Sequence, residues 1–557
     1  MLKFQNKTVL VTGSGTGIGQ AITKKFVENG ASAIILGRRK EPLEETAKML
    51  EEIIKEKQSN ATVKIFDGVD VSDEKAVTGM FDALKSENVN LDVVVNNAGV
   101  SGPVTCFVHA PLDEFRSTVD IHLTGTFWTS VQALKVMKEG AKIITISTFF
   151  AEERPLEQRP YRFRSPYTAS QGAKNRLVEA ISWELTEKGI ISIGTNPGPV
   201  HSDRIYKTVY PKAASEFLRV SGFEDLTPVE VEAVNKEILG LLGEDDETVK
   251  AGIKSAAQKL GKEETTLTNL LEKVKSIAEK IQKNTSTMIP DQQFLSQEQV
   301  ATTVLTLADD AQAKILNGKI IPGDRVFYPV KPHVASSVPK TEKNNLDGKR
   351  CMIVYAGQWE DYSKDDDLRV NSLTKMIEEK GGKVVTYPLH KTGKHGWDEV
   401  DLFIHVTGNV PNFSKLTELT RDEWNKLVDQ FINIPAQITQ GEIERFVPGG
   451  SDDPRKFKDA KGRIVIIGPD LPAGKKISGH ERAKVEVFRG ALRPFATTIN
   501  QEFSDVLKSN VRAFLILPGT VDGKEPNNEN IMNTINYLMS DEAGSSSEAI
   551  FCPDETR

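Results

Sequence analysis

The sequence predicts an α/β fold in which two parallel sheets, each doubly wound with helices, follow one another along the chain. Short apolar runs alternate with helical patterns from residue 7 onward, which is the order that builds parallel sheets from βαβ units. The same alternation starts again at residue 346, so the chain repeats its architecture. Its 557 residues are enough for two such domains.

The predicted strands of the first half are 7–12 (KTVLVT), 33–37 (AIILG), 63–71 (VKIFDGVDV), 91–99 (LDVVVNNAG), 142–147 (KIITIS) and 191–198 (ISIGTNPG), and a first helix is predicted from about Ile18 to Asn29. Between about 223 and 288, Leu, Val and Ile recur at helical spacing among many Glu and Lys residues. We interpret this stretch as a helical insert, which either covers the first site or forms a solvated appendage.

The second half repeats the strand signals in 346–357, 382–388, 400–409, 463–470 and 511–520. A stretch near 331–345, rich in Val, Pro, Ser and Lys, separates the halves and is typical of a linker. The predicted organisation is therefore a domain over 1–330, a linker over 331–345 and a second domain over 346–557.

Composition excludes several classes of function. A net charge of −7 argues against a nucleic-acid partner, which would require an excess of clustered Lys and Arg. We see neither an apolar run long enough for a membrane span nor the apolar region of a signal peptide, so we expect a cytoplasmic protein that does not bind membranes. The three cysteines, Cys106, Cys351 and Cys552, lack paired spacing, and we predict neither disulfides nor a metal site.

A glycine-rich turn, TGSGTGIG (12–19), directly follows the first strand and opens a helix. Gly13 permits a tight turn, Gly17 lets the backbone approach a diphosphate, and Gly19 allows close helix packing. This context predicts a Rossmann-like dinucleotide site. After the second strand comes GRRK, with Arg38 and Arg39 where an acidic residue would bind the ribose of NAD. These arginines favour NADP(H), although a solvated helix start is the alternative for them.

The motifs TGSGTGIG, Asp70-Val71, NNAG (96–99), Tyr167 and NPGPV (196–200) occur in the order and spacing of the short-chain dehydrogenase/reductase family. The resemblance covers about residues 5–330. It implies that Asp70 contacts the adenine, that Asn97, Ala98 and Gly99 contact the cofactor, and that Pro197 and Gly198 lie beside the nicotinamide. The complete set of expected cofactor residues is Gly13, Ser14, Thr16, Gly17, Ile18, Gly19, Arg38, Arg39, Asp70, Val71, Asn97, Ala98, Gly99, Pro197 and Gly198.

The same resemblance assigns catalytic positions, and the sequence departs from the family at two of the four. Tyr167 stands in the place of the proton donor and Thr148 in that of a serine that holds the carbonyl. Gln171 replaces the lysine that supports the tyrosine, and His122 stands where an asparagine is expected. Lys174 shares a helix face with Tyr167 and could replace the missing charge, or simply line the helix. His122 could relay a proton or serve the structure alone.

A closer likeness is to the N-terminal portion of bifunctional malonyl-CoA reductases, which also contain a second, degenerate reductase-like half. It rests on Ser147-Thr148-Phe149-Phe150, an Arg two residues before Pro166-Tyr167, and NPGPVHSDRI (196–205). It implies reduction of malonate semialdehyde to 3-hydroxypropionate with NADPH. Arg164 and Arg204 match this pattern and are the candidate partners of the substrate carboxylate. For Arg154, Arg159 and Arg162, surface positions or ion pairs are the simpler explanation.

The second half lacks the glycine pattern and has Pro469 where a hydroxyl is needed. We therefore expect it to be degenerate and non-catalytic, packing on the first half as a second reductase subunit would. The expected assembly is a homodimer, with a thioester-reducing protein as a further partner. Two alternatives stay open: reduction of a 3-oxoacyl thioester or another carbonyl, and a catalytically impaired nucleotide-binding or assembly protein, which Gln171 and His122 would explain.

Overall fold

The computed structural model describes residues 2–151, 162–200, 209–325, 343–355, 363–389, 397–411, 415–447, 453–470, 479–518, 528–545 and 549–552. Within them lie two parallel sheets covered by helices. The predicted α/β fold with two doubly wound sheets is confirmed. No helix in these ranges is both long enough and apolar enough to span a bilayer.

The first sheet has seven strands in the order β3-β2-β1-β4-β5-β6-β7. Its interior strand β1 carries Val9, Leu10 and Val11, all completely buried, because helices cover both faces of the sheet. The edge strand β7 was not among the predicted strands. The strand bounds are β1 Thr8–Thr12, β2 Ser32–Gly37, β3 Val63–Asp67, β4 Leu91–Asn96, β5 Met137–Ile146, β6 Ile191–Pro197 and β7 Ile320–Gly323.

The helices of the first half connect these strands. Their bounds are α1 Gly17–Glu28, α2 Lys40–Glu56, α3 Glu74–Ser86, α4 Leu112–Val119, α5 Gly125–Ala133, α6 Ser165–Leu185, α7 Tyr210–Ser221, α8 Pro228–Ile238, α9 Asp246–Leu260, α10 Glu264–Ser286, α11 Gln297–Leu307 and α12 Asp310–Ile315. A π-helical turn, Asp120–Thr124, joins α4 to α5. The stretch predicted as a helical insert contains α8, α9 and α10, whose apolar faces share one cluster with Ala214 and Leu218 of α7.

The second sheet has six strands in the order β13-β12-β11-β10-β8-β9. In the described residues it has no counterpart of β3, so the repeat is shorter by one edge strand. The strands are β8 Arg350–Tyr355, β9 Lys383–Pro388, β10 Leu402–Val406, β11 Lys461–Ile467, β12 Asn510–Ile516 and β13 Ile550–Phe551. The helices are α13 Ser363–Glu379, α14 Arg421–Val428, α15 Ile434–Glu442, α16 Gly479–Gln501, α17 Asn528–Leu538 and α18 Asp541–Ser545.

The two halves pack through α6 and α16, which cross at a pair of glycines. A Cβ atom added to Gly172 would lie 2.0 Å from the carbonyl oxygen of Gly490, and one added to Gly490 would lie 2.5 Å from Cγ of Arg176. A Cβ on Gly172 would also lie 2.7 Å from Cγ of Pro494. The contact is therefore reciprocal: Gly172 corresponds to Gly490 and Arg176 corresponds to Pro494, with 318 positions between the members of each pair. Close backbone approach therefore fixes a pseudo-twofold pairing of the halves.

Candidate active site

The glycine turn after β1 has the conformation that the sequence predicts. Gly13 and Gly17 both have positive φ, +66° and +64°, and a Cβ on Gly19 would lie 2.3 Å from the carbonyl oxygen of Gly13. A Cβ on Gly17, by contrast, would meet only the distant amide of Gln297 at 4.0 Å. The start of α1 thus leaves open space at the place where a diphosphate would approach the helix N-terminus.

The other residues predicted in this turn divide into two groups. Thr16 is exposed and Ile18 is half-buried, so both border the open side. Ser14 is fully buried, and its hydroxyl accepts a hydrogen bond of 3.0 Å from the backbone N–H of Leu36 in β2. Ser14 therefore holds the turn to the sheet through its side chain.

The NNAG segment after β4 is fastened to the glycine turn by a residue that the sequence analysis did not single out. The hydroxyl oxygen of Thr12 accepts hydrogen bonds from the backbone N–H groups of Asn97 and Ala98, each 2.9 Å long. In return, the side-chain amide of Asn97 donates a hydrogen bond of 3.0 Å to the backbone carbonyl of Thr12. The sequence could have indicated Thr12, because it is the last residue of β1 and the first residue of the TGSGTGIG motif.

The side chains after β2 and β3 form the end of the site predicted to bind the ribose and adenine. Arg38 is 63% exposed and lies 3.6 Å from the Asp70 carboxylate, whose other oxygen accepts hydrogen bonds from the backbone and hydroxyl of Ser72. Arg39 is exposed beside it. Val71 is buried against Gly125. Both guanidinium groups are therefore accessible to a phosphate, whereas the Val71 side chain is not exposed at this end of the site.

Tyr167, His122 and Gln171 meet at the carboxyl end of β4 and β5. The rings of His122 and Tyr167 are 5.2 Å apart and nearly perpendicular, and the Gln171 side-chain nitrogen lies 3.0 Å from Nδ1 of His122. The two residues that depart from the family pattern are thus in contact with each other. Thr148 lies buried just beyond β5. The hydroxyl of the neighbouring Ser147 donates a hydrogen bond of 3.1 Å to the backbone carbonyl of Gln171.

Both ring nitrogens of His122 have hydrogen-bond partners. Because an amide nitrogen can only donate, Nδ1 accepts from Gln171, while Nε2 lies 2.8 Å from the carbonyl oxygen and 3.2 Å from the backbone nitrogen of Val100. A Cβ on Gly99 would lie 2.4 Å from the His122 ring, which explains the glycine there. The side-chain oxygen of Gln171 is buried and has no partner among the described residues. A ribose hydroxyl would satisfy that oxygen, so Gln171 fits a dinucleotide.

Lys174 is almost completely buried one turn further along α6, at 1% exposure. Its ammonium donates a hydrogen bond of 2.6 Å to the carbonyl of Ile146, the last residue of β5. Burial lowers the pKa of Lys174 to about 7, because an ammonium without a counter-ion is poorly solvated in the interior. Close to neutral pH, its charge is therefore only partly present to assist Tyr167, and that assistance stays a prediction.

We expect Lys174→Met to remove a pH dependence of stability. The unfolded chain keeps the lysine proton up to the ordinary pKa of 10.5, whereas the folded chain releases it near 7. Between these values the unfolded state binds more protons, so stability should rise with pH, by up to about 1.4 kcal/mol per unit. Denaturant unfolding of both proteins from pH 6.5 to 9.5 measures this difference. If the free energies of unfolding of the two proteins change in parallel with pH, the lowered pKa of Lys174 is wrong.

Arg164 lies against the face of Tyr167. Its guanidinium carbon is 3.9 Å from the centre of the phenol ring, and it donates to the Ser101 carbonyl at 2.8 Å. Arg164 is itself buried and follows Phe163, whose backbone has a positive φ of 70°. A buried cation thus adjoins the predicted proton donor, and its binding of a substrate carboxylate stays a prediction.

The other arginines of this region are placed differently. Arg162 pairs with Asp505 of the second half at 3.0 Å, a partner that the sequence did not suggest. Arg154, Arg159 and Arg204 lie outside the described residues.

Pro197, the last residue of β6, and the following Gly198 are predicted beside the nicotinamide, and both are buried. A Cβ on Gly198 would lie 2.3 Å from the Asp324 carbonyl oxygen, and the Pro199 carbonyl accepts a hydrogen bond from the backbone of Leu295. Ile289, Met288 and Phe294 cover Phe149, next to Thr148. The segment that follows the helical insert therefore closes the site from this side.

The corresponding place in the second half is filled by Arg489, which the helix pairing relates to Gln171. Its guanidinium donates to the carbonyls of Pro469 and Pro518 at 2.8 and 2.7 Å and approaches Asp470 at 3.2 Å. The same register relates Val485 to Tyr167. An arginine thus joins the loops that follow β11 and β12, where the first half has its candidate catalytic side chains.

Comparison with known proteins agrees with this geometry. Residues 7–210 match the family model described as short chain dehydrogenase. The chain is 31% identical over 206 residues to the 3alpha-hydroxysteroid dehydrogenase of Mediterraneibacter gnavus, covering 37% of this chain and 78% of that enzyme. It is also 31% identical over 208 residues to the uncharacterized oxidoreductase YxbG of Bacillus subtilis, covering 37% and 71% of the two chains.

Two solved structures resemble the whole chain. The C-domain of bacterial malonyl-CoA reductase with NADP has a TM-score of 0.73 at 16% identity and covers 99% of both chains. The N-domain of that protein with NADP has a TM-score of 0.68 at 15% identity and covers 99% of this chain and 98% of that one. At these identities the likeness concerns the fold, with its two tandem sheets. The family model and the dehydrogenase relatives establish that the chain is an oxidoreductase of the short chain dehydrogenase family.

Proposed function

We propose that the chain reduces a short acid semialdehyde with NADPH, and that its substrate is malonate semialdehyde, which becomes 3-hydroxypropionate. The observation that carries this proposal is the buried guanidinium of Arg164 on the ring of Tyr167. If Tyr167 protonates the aldehyde oxygen, a carboxylate a few ångströms from that oxygen in the same molecule would lie close to the Arg164 cation. Burying a carboxylate there would be costly without such a partner.

Each side chain then has a role in the reduction. Bound NADPH would supply the hydride to the carbonyl carbon. As the carbonyl π electrons move to oxygen, the Tyr167 hydroxyl gives that oxygen its proton, and the Thr148 hydroxyl donates a hydrogen bond to it. The Arg164 cation stabilises the phenolate left behind. The Gln171 oxygen would accept a hydrogen bond from the ribose of the bound cofactor, and the Gln171 amide holds His122 against Tyr167.

The direction of the reaction follows from this arrangement. Reduction uses the phenol as a neutral acid, which is its ordinary form at neutral pH, whereas oxidation of an alcohol requires a phenolate base. Replacement of the supporting lysine by Gln171 therefore harms oxidation more than reduction. The second half, with Arg489 across its strand ends, has no part in the chemistry in this proposal.

The test is the loss of NADPH absorbance with three substrates. We expect efficient turnover of malonate semialdehyde, slower turnover of an uncharged aldehyde of similar size, and little with a 3-oxoacyl thioester. If the protein prefers the 3-oxoacyl thioester, the proposed substrate class is wrong and the thioester takes its place. NADPH binding without turnover of any carbonyl would identify a nucleotide-binding protein, the alternative that Gln171 and His122 favour.

Cofactor preference is tested separately by Arg38→Ala/Arg39→Ala. Both side chains are exposed at the end of β2, so their removal should leave the fold intact while it removes the charge-assisted bonds to the 2′-phosphate. We expect the parent to prefer NADPH over NADH in kcat/KM and the variant to lose most of that preference. Equal use of the two cofactors by the parent would contradict the assignment.

A further inference from the structure

Glu502, which follows α16 in the second half, reaches into the first half as a buried carboxylate. It is 1% exposed. One carboxylate oxygen accepts a 2.6 Å hydrogen bond from the backbone N–H of Phe107, and the other accepts a 2.7 Å bond from that of Phe163. A single side chain thereby joins two loops that lie 56 positions apart in the first half.

The second of these loops carries the candidate site. Phe163 has a positive φ, which costs energy for a residue other than glycine and persists where surrounding contacts hold it. Its N–H is held by Glu502, and its carbonyl accepts from Thr105 at 2.9 Å. The next residue is Arg164, which lies on Tyr167. The Glu502 carboxylate thus fixes the backbone from which the Arg164 side chain leaves.

The chain contains a matched counterpart. The pairing of α6 with α16 relates Glu502 to Glu184, which lies 318 positions earlier in α6. The Glu184 side chain is completely buried. Glu184 accepts hydrogen bonds from the backbone N–H groups of Leu416 and Thr417 at 2.6 and 2.8 Å. Each half therefore extends one buried glutamate into the other, but Tyr167 and Arg164 stand beside only one of them.

Burial of Glu502 is costly, so its retention calls for compensation. Its pKa is raised to about 7, first because of desolvation. Glu216 lies nearby and accepts from the backbone N–H of Cys106, with Arg219 paired to it at 2.7 Å. The backbone N–H groups of Phe107 and Phe163, together with the Cys106 thiol, are the compensating donors.

We propose that Glu502 is a positioning residue for the active site of the first half, so that the second half completes this site without chemistry of its own. Without the carboxylate, the N–H of Phe163 loses its acceptor and the loop that presents Arg164 relaxes. Displacements of about 1 Å at a site can cost about a hundredfold in rate. The kinetic part of this proposal rests on the proposed reductase function.

The test compares Glu502→Gln with Glu184→Gln, which makes the same change in the counterpart. For Glu502→Gln we expect kcat with malonate semialdehyde to fall by about 10- to 100-fold, with KM for NADPH unchanged because the glycine turn is untouched. Glu184→Gln should keep kcat within about twofold. Equal losses of kcat in the two variants would show a purely structural role and overturn the proposal.

Amide hydrogen exchange of the full chain provides a measurement that does not depend on activity. Glutamine keeps only one acceptor oxygen, for which the N–H groups of Phe107 and Phe163 would compete in Glu502→Gln. Exchange should therefore accelerate in 162–164 and 105–107, and in Glu184→Gln it should accelerate in 416–417. Should Glu502→Gln fail to fold, Glu502→Asp keeps the charge with a shorter reach and should show the same local exchange. Unchanged exchange in both 162–164 and 105–107 of the folded variants would refute the positioning role. A parent chain that reduces no aldehyde would refute the proposed function, and the exchange pattern would still decide this inference.

Discussion

Tyr167→Phe should lower kcat for aldehyde reduction by about 10² to 10⁴, the usual contribution of general acid catalysis. The substitution removes only the hydroxyl and keeps the ring that contacts His122 and Arg164. Binding of NADPH should therefore be unchanged, and the loss should appear in kcat. Single-turnover measurement of NADPH oxidation separates this chemical step from product release.

The matched control is Tyr537→Phe, the same change in α17 of the second half. This variant should keep the parental kcat, since Tyr537 packs in the second core. An active Tyr167→Phe protein would refute the role of Tyr167 as proton donor. Lys174→Ala, in comparison, should reduce kcat nearly as much only if Lys174 replaces the missing lysine. Its hydrogen bond to Ile146 and its lowered pKa favour a smaller loss.

Arg164→Ala should depress kcat/KM for malonate semialdehyde by about 1.5–3 kcal/mol, the range for a hydrogen bond to a charged group. An uncharged aldehyde of similar size should lose less, because it lacks the carboxylate and is affected only through the contact of Arg164 with Tyr167. Arg164→Lys keeps the charge but not the planar pair of donors, so it should restore only part of the loss.

Arg162→Ala is the control for this prediction. Arg162 belongs to the same segment, but its guanidinium pairs with Asp505, so its removal should not distinguish the two aldehydes. If Arg164→Ala reduces kcat/KM equally for both aldehydes, Arg164 supports Tyr167 or the loop, and its assignment to the carboxylate is wrong. Arg204→Ala, measured with the same pair of aldehydes, tests the second predicted partner independently.

Local sequence determined the glycine turn and the strands of both sheets except the short edge strands β7 and β13. In β1 a short apolar run suits burial on both faces of a parallel sheet, and the glycines that follow are required by positive φ at Gly13 and Gly17 and by the close approach at Gly19. These features depend on neighbours in the chain, so a pattern of a few residues specifies them. The two departures from the family pattern, Gln171 and His122, were also visible without the structure.

Only the tertiary structure decided how those departures are accommodated. Gln171 and His122 are 49 positions apart, yet they contact each other, while the Lys174 ammonium is satisfied by the Ile146 carbonyl. Glu502 lies 339 positions from Phe163, whose N–H it accepts. Such partners are selected by where sheets and helices bring backbone groups together, and burial then requires each polar group to be satisfied there. A local pattern carries no information about a partner so distant, which is why the contribution of the second half emerges only from the fold.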